Sequence, residues 1–86
     1  MRNNSVAGTQ NRVTAGDVIR LIQERWAPLR SGRKLLARAA DVSPRSCENW
    51  LQGKNAPHIE QVFALMSNDP EFGRQLLDAL ARTVQR

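Results

Sequence analysis

The apolar residues of this chain recur at helical spacing in five separate segments. In the first segment four of them lie at positions i, i+3, i+4 and i+8, on one face of a helix: Val18, Leu21, Ile22 and Trp26. Thr14 and Asp17 form the pattern of a capping box, with aspartate in place of glutamate. This segment therefore predicts a helix over about residues 15–26, which Pro28 ends.

A second helix is predicted over about residues 32–40, with Ser31 as its cap. We expect it to direct four apolar residues toward the core: Leu35, Leu36, Ala39 and Ala40. Asp41 and Val42 then form a turn. A small residue is needed where two helices cross close to such a turn, and Ala37 supplies it.

A third helix is predicted over residues 44–52. Ser43 is a favourable N-cap. Pro44 suits the first helical position, because a backbone N–H at that position makes no hydrogen bond within the helix and its absence costs nothing. Gly53 suits the left-handed position that ends a helix. Three apolar residues share the inner face: Cys47, Trp50 and Leu51.

Two more helices complete the chain. Pro57 begins a predicted helix over about 57–67, whose apolar stripe is Ile59, Val62, Phe63 and Met66. Asp69 and Pro70 repeat the cap-and-proline arrangement for a last helix over about 70–84, with Phe72, Leu76, Leu77, Leu80 and Val84 as its stripe. The predicted fold class is all-α, a compact five-helix domain.

Composition narrows the functional classes. Residues 1–13 are polar and lack periodicity, which indicates a flexible N-terminal arm before one domain over 14–86. One cysteine and one histidine give no standard metal site, and no catalytic constellation or apolar leader is present. Without an 18-residue apolar run we expect no membrane span. We expect a cytoplasmic, non-enzymatic protein without a cofactor, metal or small-molecule ligand.

Positive charge is concentrated in the middle of the chain. The net charge is +5, and residues 30–54 hold six basic and two acidic residues. This cluster coincides with the predicted pair of short helices, which favours contact with nucleic acid. The alternative is a solvated face whose charge serves solubility.

The outward face of the third helix has the side chains that read base edges in the major groove of DNA. Arginine can donate two hydrogen bonds to guanine, and asparagine or glutamine can pair likewise with adenine. The base-reading candidates are Arg45 and Asn49 first, then Ser46, Gln52 and Ser43. A salt bridge from Arg45 to Glu48 or Asp41 is the competing interpretation.

Phosphate contacts are expected from the flanks of this helix. Arg33 and Lys34 lie at the start of the preceding helix, where free backbone N–H groups also attract anions. Lys54 and Asn55 follow the third helix and can reach the opposite backbone. Plain surface charge is the alternative for Arg33 and Lys34.

The segment from about residue 31 to 68 resembles the lambda-repressor-like, Xre/Cro-type helix-turn-helix family. The resemblance lies in Ala37, the turn Val42-Ser43, Trp50 with Leu51, and the trailing Gly53 and Pro57. It implies a helix-turn-helix at about 33–52 that binds specific double-stranded DNA, commonly as a dimer on an inverted repeat, in a phage or bacterial regulator. Asp41 departs from the family, which usually has glycine in this turn.

The last helix leaves the oligomeric state open. If Leu77, Leu80 and Val84 are exposed, they can pair with a second copy as a homodimer; if they pack on the first helix, the domain is a monomer. The arm, with Arg2 and Arg12, either follows the DNA or has no role there. Activation of transcription would need a surface for RNA polymerase, for which the candidates are Glu60, Asp69 and Glu71.

Two other functional classes fit the same pattern. One is a protein-interaction module, an adaptor or antitoxin that keeps the fold without binding DNA. The other is an accessory protein of DNA packaging or recombination, which binds DNA without controlling a gene.

Overall fold

The computed structural model describes residues 13–84 of the chain. Within this range it contains five α-helices and no strand: α1 (Ala15–Trp26), α2 (Gly32–Ala40), α3 (Pro44–Leu51), α4 (Ile59–Asn68) and α5 (Pro70–Val84). The all-α prediction is confirmed. α3 ends one residue before the predicted end, and α4 begins two residues after the predicted start because His58 is its N-cap.

The helix starts follow the predicted capping chemistry at two of three serine or threonine positions. Thr14 N–H donates to Asp17 Oδ2 over 2.9 Å, and Thr14 Oγ1 accepts from Asp17 N–H over 3.2 Å. The Thr14 backbone bond is the main reason that the pKa of Asp17 lies below its usual value. Ser43 Oγ accepts from Ser46 N–H. The expected side-chain cap at Ser31 is wrong, and Gly32 N–H instead donates to Leu29 O over 3.2 Å.

All five helices contribute one fully buried side chain to a single core: Ile22, Leu36, Cys47, Leu65 and Phe72. The rings of Trp26 and Phe72 lie 5.4 Å apart and tilted by 47° at the contact between α1 and α5. Trp50 is also buried, at 3% exposure. Val13, expected to belong to the arm, packs against the core with Val18, in the positions of a hydrophobic staple.

Three residues predicted for the core are exposed instead: Leu35 at 44%, Ile59 at 62% and Phe63 at 58%. Each lies at the edge of its helix's apolar arc. A domain of this size has few neighbouring elements to cover such edges, because only about two-thirds of the unfolded chain's surface is buried on folding.

Polar side chains fix the helices relative to one another. Arg25 pairs with Asp69 through both Nε and Nη2, with Nη2 2.8 Å from Oδ1, and its guanidinium lies 5.5 Å from the ring centre of Trp26. Asn68 Nδ2 donates to Ala39 O over 2.8 Å, joining α4 to α2. These bonds hold the end of α1, the end of α2 and the α4–α5 junction together. No helix in the described part of the chain has the length and apolar character needed to cross a membrane.

Candidate nucleic-acid interface

A short turn connects α2 to α3. Asp41 adopts a left-handed conformation, with φ 59° and ψ 46°, and its N–H and that of Val42 both donate to Ala37 O. Aspartate tolerates this conformation better than most residues because its short side chain is polar. Ala37 is buried at 7% exposure, as expected for a small residue beside this turn.

The inner face of α3 is firmly anchored. Cys47 is fully buried and Trp50 is 3% exposed, while Leu51 is half-buried against the core. Gln23 Nε2 of α1 donates to Leu51 O over 3.1 Å, which satisfies a carbonyl at the end of α3. Burial raises the pKa of the Cys47 thiol to about 11. The anchoring fixes which side chains of α3 face outward.

The outer face of α3 presents the predicted polar residues at different depths. Arg45 and Gln52 are exposed, as is Ser43 at the leading end, whereas Ser46 and Asn49 are half-buried. Ser43 Oγ also lies 3.3 Å from Ser46 Oγ. Among the residues that the structure describes, Arg45 pairs with neither Glu48 nor Asp41 and forms no salt bridge.

The sequence patterns considered Glu48 only as a partner of Arg45 and did not predict the contacts that it makes. Its carboxylate accepts from Arg33 Nη1 over 3.1 Å and from Gln52 Nε2 over 3.2 Å. One acidic side chain thus holds a candidate phosphate ligand on α2 and a candidate base reader at the C-cap of α3. Arg33 and Glu48 are 15 residues apart, which no helical spacing signals; the Gln52 contact has the i, i+4 spacing that could have indicated it.

The chain reverses direction directly after α3. Gly53 has φ 75°, and its N–H donates to Trp50 O over 3.0 Å, while Lys54 N–H donates to Asn49 O over 2.9 Å. Lys54 and Asn55 are exposed just beyond this reversal. Lys34 is exposed in the first turn of α2.

A small polar cleft of about 260 Å³ separates α3 from the start of α4. Ser46 and Asn49 line it from α3, and Asn55, His58 and Gln61 line it from the opposite side. Gln61 Oε1 accepts from His58 N–H over 2.7 Å, which fixes the first turn of α4. The half-buried state of Ser46 and Asn49 follows from their place in this cleft.

The candidate dimer residues are only partly described. Leu77 is 57% and Leu80 is 41% exposed, three residues apart on α5. The side chain of Val84 and the arm residues 1–12, with Arg2 and Arg12, lie outside the described part. Of the acids considered for RNA polymerase, Glu60 is exposed, Glu71 contacts Arg74 and Asp69 pairs with Arg25.

The described residues contain no group of three or more histidine, cysteine, aspartate or glutamate side chains placed to hold a metal ion. Comparison with protein-family models, curated proteins and solved structures found no match to this chain.

Proposed function

We propose that this protein is a sequence-specific, double-stranded-DNA-binding transcriptional regulator. In this proposal α2, the turn at Asp41 and α3 act as a helix-turn-helix, and α3 enters the major groove. The supporting observation is the two-sided character of α3. Its inner side is buried through Cys47 and Trp50, while its outer side presents an exposed Arg45 and a half-buried Asn49.

Base recognition is assigned to the outer face of α3. Arg45 has no salt bridge to break within the described part of the chain, so its guanidinium is available to donate two hydrogen bonds to a guanine. Asn49 is one turn further along the same face and suits an adenine. Gln52, Ser46 and Ser43 supply secondary contacts. Each good bidentate pair discriminates against a wrong base by about 1–3 kcal/mol.

Phosphate contacts are assigned to both flanks of α3. Lys34 is exposed at the start of α2, and Lys54 and Asn55 are exposed after α3. Arg33 must exchange its carboxylate partner Glu48 for a phosphate, and the exchange costs little because both side chains are about half exposed. These contacts would give affinity and orientation without sequence preference.

The proposed assembly is a homodimer on an inverted repeat, formed through the exposed apolar residues of α5. Leu77 and Leu80 share one side of the helix. On an inverted repeat the two copies of α3 must lie one DNA turn, about 34 Å, apart, and the proposal requires the α5 interface to set that spacing. Repression then requires only that the bound dimer cover a promoter.

Selection of binding sites from a random DNA pool, followed by sequencing, tests this function. The expected result is an enriched inverted repeat that the unselected pool lacks. Failure to enrich any sequence from full-length protein would contradict specific binding. Comparison of genomic occupancy with transcript changes after deletion separates a regulator from a packaging or recombination protein, which would bind without changing transcripts.

Substitutions then separate the residue roles. Arg45→Ala should lower affinity for the selected site by about 1–3 kcal/mol and relax preference at one base pair per half-site. Lys34→Ala should weaken binding to all DNA sequences alike. It should also reduce by about one the slope of log affinity against log salt concentration. Arg20→Ala is the charge-matched control, since Arg20 lies on α1 and pairs with Asp17. If Arg45→Ala weakens random and selected DNA equally, Arg45 does not read bases.

A further inference from the structure

An apolar groove of about 740 Å³ lies on the flank of α2 that faces away from α3. Arg33 contacts Glu48 of α3 and so marks the flank of α2 toward α3, whereas Leu35 and Ala39 line the groove. The groove is bounded by the end of α1, the loop after it and the α4–α5 junction, through Arg25, Trp26, Leu29, Leu35, Arg38 and Asp69.

Two leucines give this groove its apolar character. Leu29 is 45% exposed and Leu35 is 44% exposed, and both line it beside the buried indole of Trp26. Neither leucine belongs to the buried core or to the partly buried residues packed against it. Covering both would remove apolar surface from water, which is favourable for an apolar partner.

The charges around the groove determine which partner fits. Arg25 is neutralised by Asp69 and held over Trp26, so this pair forms a fixed wall. Arg38 lines the groove, and Arg30 follows Leu29; within the described residues neither forms a salt bridge. The unpaired charge at the groove is therefore positive.

Positive charge argues against the occupants that this chain itself could supply. Residues 1–12 contain two arginines and no acidic residue, so they do not complement Arg38. A second copy placed groove to groove would bring Arg30 and Arg38 toward their own counterparts. A different molecule with the opposite charge is the better match.

We propose that this groove is a docking site for an acidic, amphipathic peptide segment of another protein. Two apolar side chains of the peptide would cover Leu29 and Leu35, and a neighbouring carboxylate would pair with Arg38. Because the groove and α3 lie on opposite flanks of α2, a peptide bound there would leave Arg45 and Asn49 uncovered, although Lys34 lies one turn before Arg38 on α2. The inference does not depend on DNA binding.

Selection from a displayed random-peptide library against the full-length protein tests the proposal. The expected peptides combine leucine or phenylalanine with aspartate or glutamate. Synthetic copies, measured by fluorescence anisotropy, should bind at least tenfold more weakly to Leu35→Ser. Ile59→Ser is the matched control, because Ile59 is an exposed aliphatic residue at the start of α4 that does not line the groove, and it should leave the affinity unchanged.

Charge reversal makes the test specific. The Arg38→Glu variant should bind the acidic peptides at least fivefold more weakly than the parent protein. It should bind more tightly than the parent to copies of the peptides whose acidic residues are replaced by lysine. No enrichment, enrichment without acids, or equal binding to Leu35→Ser would overturn the proposal. Circular dichroism confirms that the variants fold, and Leu35→Ser should still bind any DNA site selected by the parent chain.

Discussion

Gly32 is the position where a single methyl group should do the most damage to this fold. It is the first residue of α2 and is buried directly against the end of α1. A Cβ added to Gly32 would lie 1.9 Å from Trp26 O and 2.9 Å from Trp26 C. Ordinary contact begins near 3.4 Å, so the two backbones would have to separate by about 1.5 Å.

The magnitude follows from two opposing effects of Gly32→Ala. Replacing a helical glycine by alanine stabilises a helix by about 0.5–1 kcal/mol. Overpacking costs about 1–3 kcal/mol, and here the upper end applies because the obstructing atoms are backbone and cannot change rotamer. We expect a net loss of about 2 kcal/mol, and with it a lower melting temperature by about 8–16 °C.

Two other helical glycines provide matched controls in the same chain. A Cβ on Gly16 would lie 3.6 Å from Thr14 Oγ1 in open surroundings, so Gly16→Ala should stabilise the protein. A Cβ on Gly73 would lie 3.1 Å from Met66 O, so Gly73→Ala should be intermediate. Urea unfolding followed by tryptophan fluorescence measures all three. Stability of Gly32→Ala equal to that of Gly16→Ala would refute the close approach of α1 and α2.

Four further measurements probe the core, α3 and the capping box of α1. Trp50→Ala should destabilise the domain by about 3–5 kcal/mol, measured by thermal melting; a normal transition would show that the indole is not part of the core. Cys47 should react with a thiol reagent at pH 8 only as fast as the protein opens, because its side chain is fully buried. Burial also raises the pKa of its thiol to about 11, and rapid labelling of folded protein would contradict this burial. Glu48→Gln should release Arg33 and strengthen binding to selected and random DNA alike, measured by anisotropy against salt; unchanged affinity would mean that the pair does not compete with phosphate. Asp17→Asn should make the free energy of unfolding depend less on pH in acid. The lowered pKa of Asp17 stabilises the folded state above about pH 3.9, and this stabilisation is lost as the pH falls through the folded-state pKa. Identical acid unfolding of both proteins would contradict this contribution.

The helix bounds were predictable because local chemistry specifies them. Thr14 with Asp17 and Ser43 with Pro44 start helices through contacts within four residues, and Gly53 ends one through its own backbone conformation. Such signals need no knowledge of the tertiary structure. The failure at Ser31 shows the limit, since the packing of Gly32 on α1 determines that helix start instead.

The edges of the core were not predictable from periodicity. The spacing of Leu35, Ile59 and Phe63 places each on the apolar arc of its helix. Periodicity does not show how much of that arc the neighbouring helices cover. Contacts between residues far apart in the sequence could not be predicted for a similar reason. Nothing near Arg33 in sequence indicates that Glu48 will bind it.

The outward face of α3 could be predicted because it is the complement of a clear inner face. Once Cys47 and Trp50 are placed inside, helical geometry directs Arg45 and Asn49 outward. The depth of Asn49 could not be predicted, because its cleft depends on where α4 begins. The protein's behaviour toward DNA stays a prediction that binding experiments must test.

The two-sided construction of α3 has a consequence for how such a protein can diversify. The buried indole of Trp50 and the hydrogen bond from Gln23 hold α3 in place. The exposed residues Arg45 and Gln52 can therefore be substituted with little effect on folding. A randomised library at these two positions should yield many well-folded variants, which would differ in the base sequence they prefer if α3 binds DNA as proposed. Natural selection could draw on the same freedom, altering preference in single steps while the scaffold beneath stays unchanged.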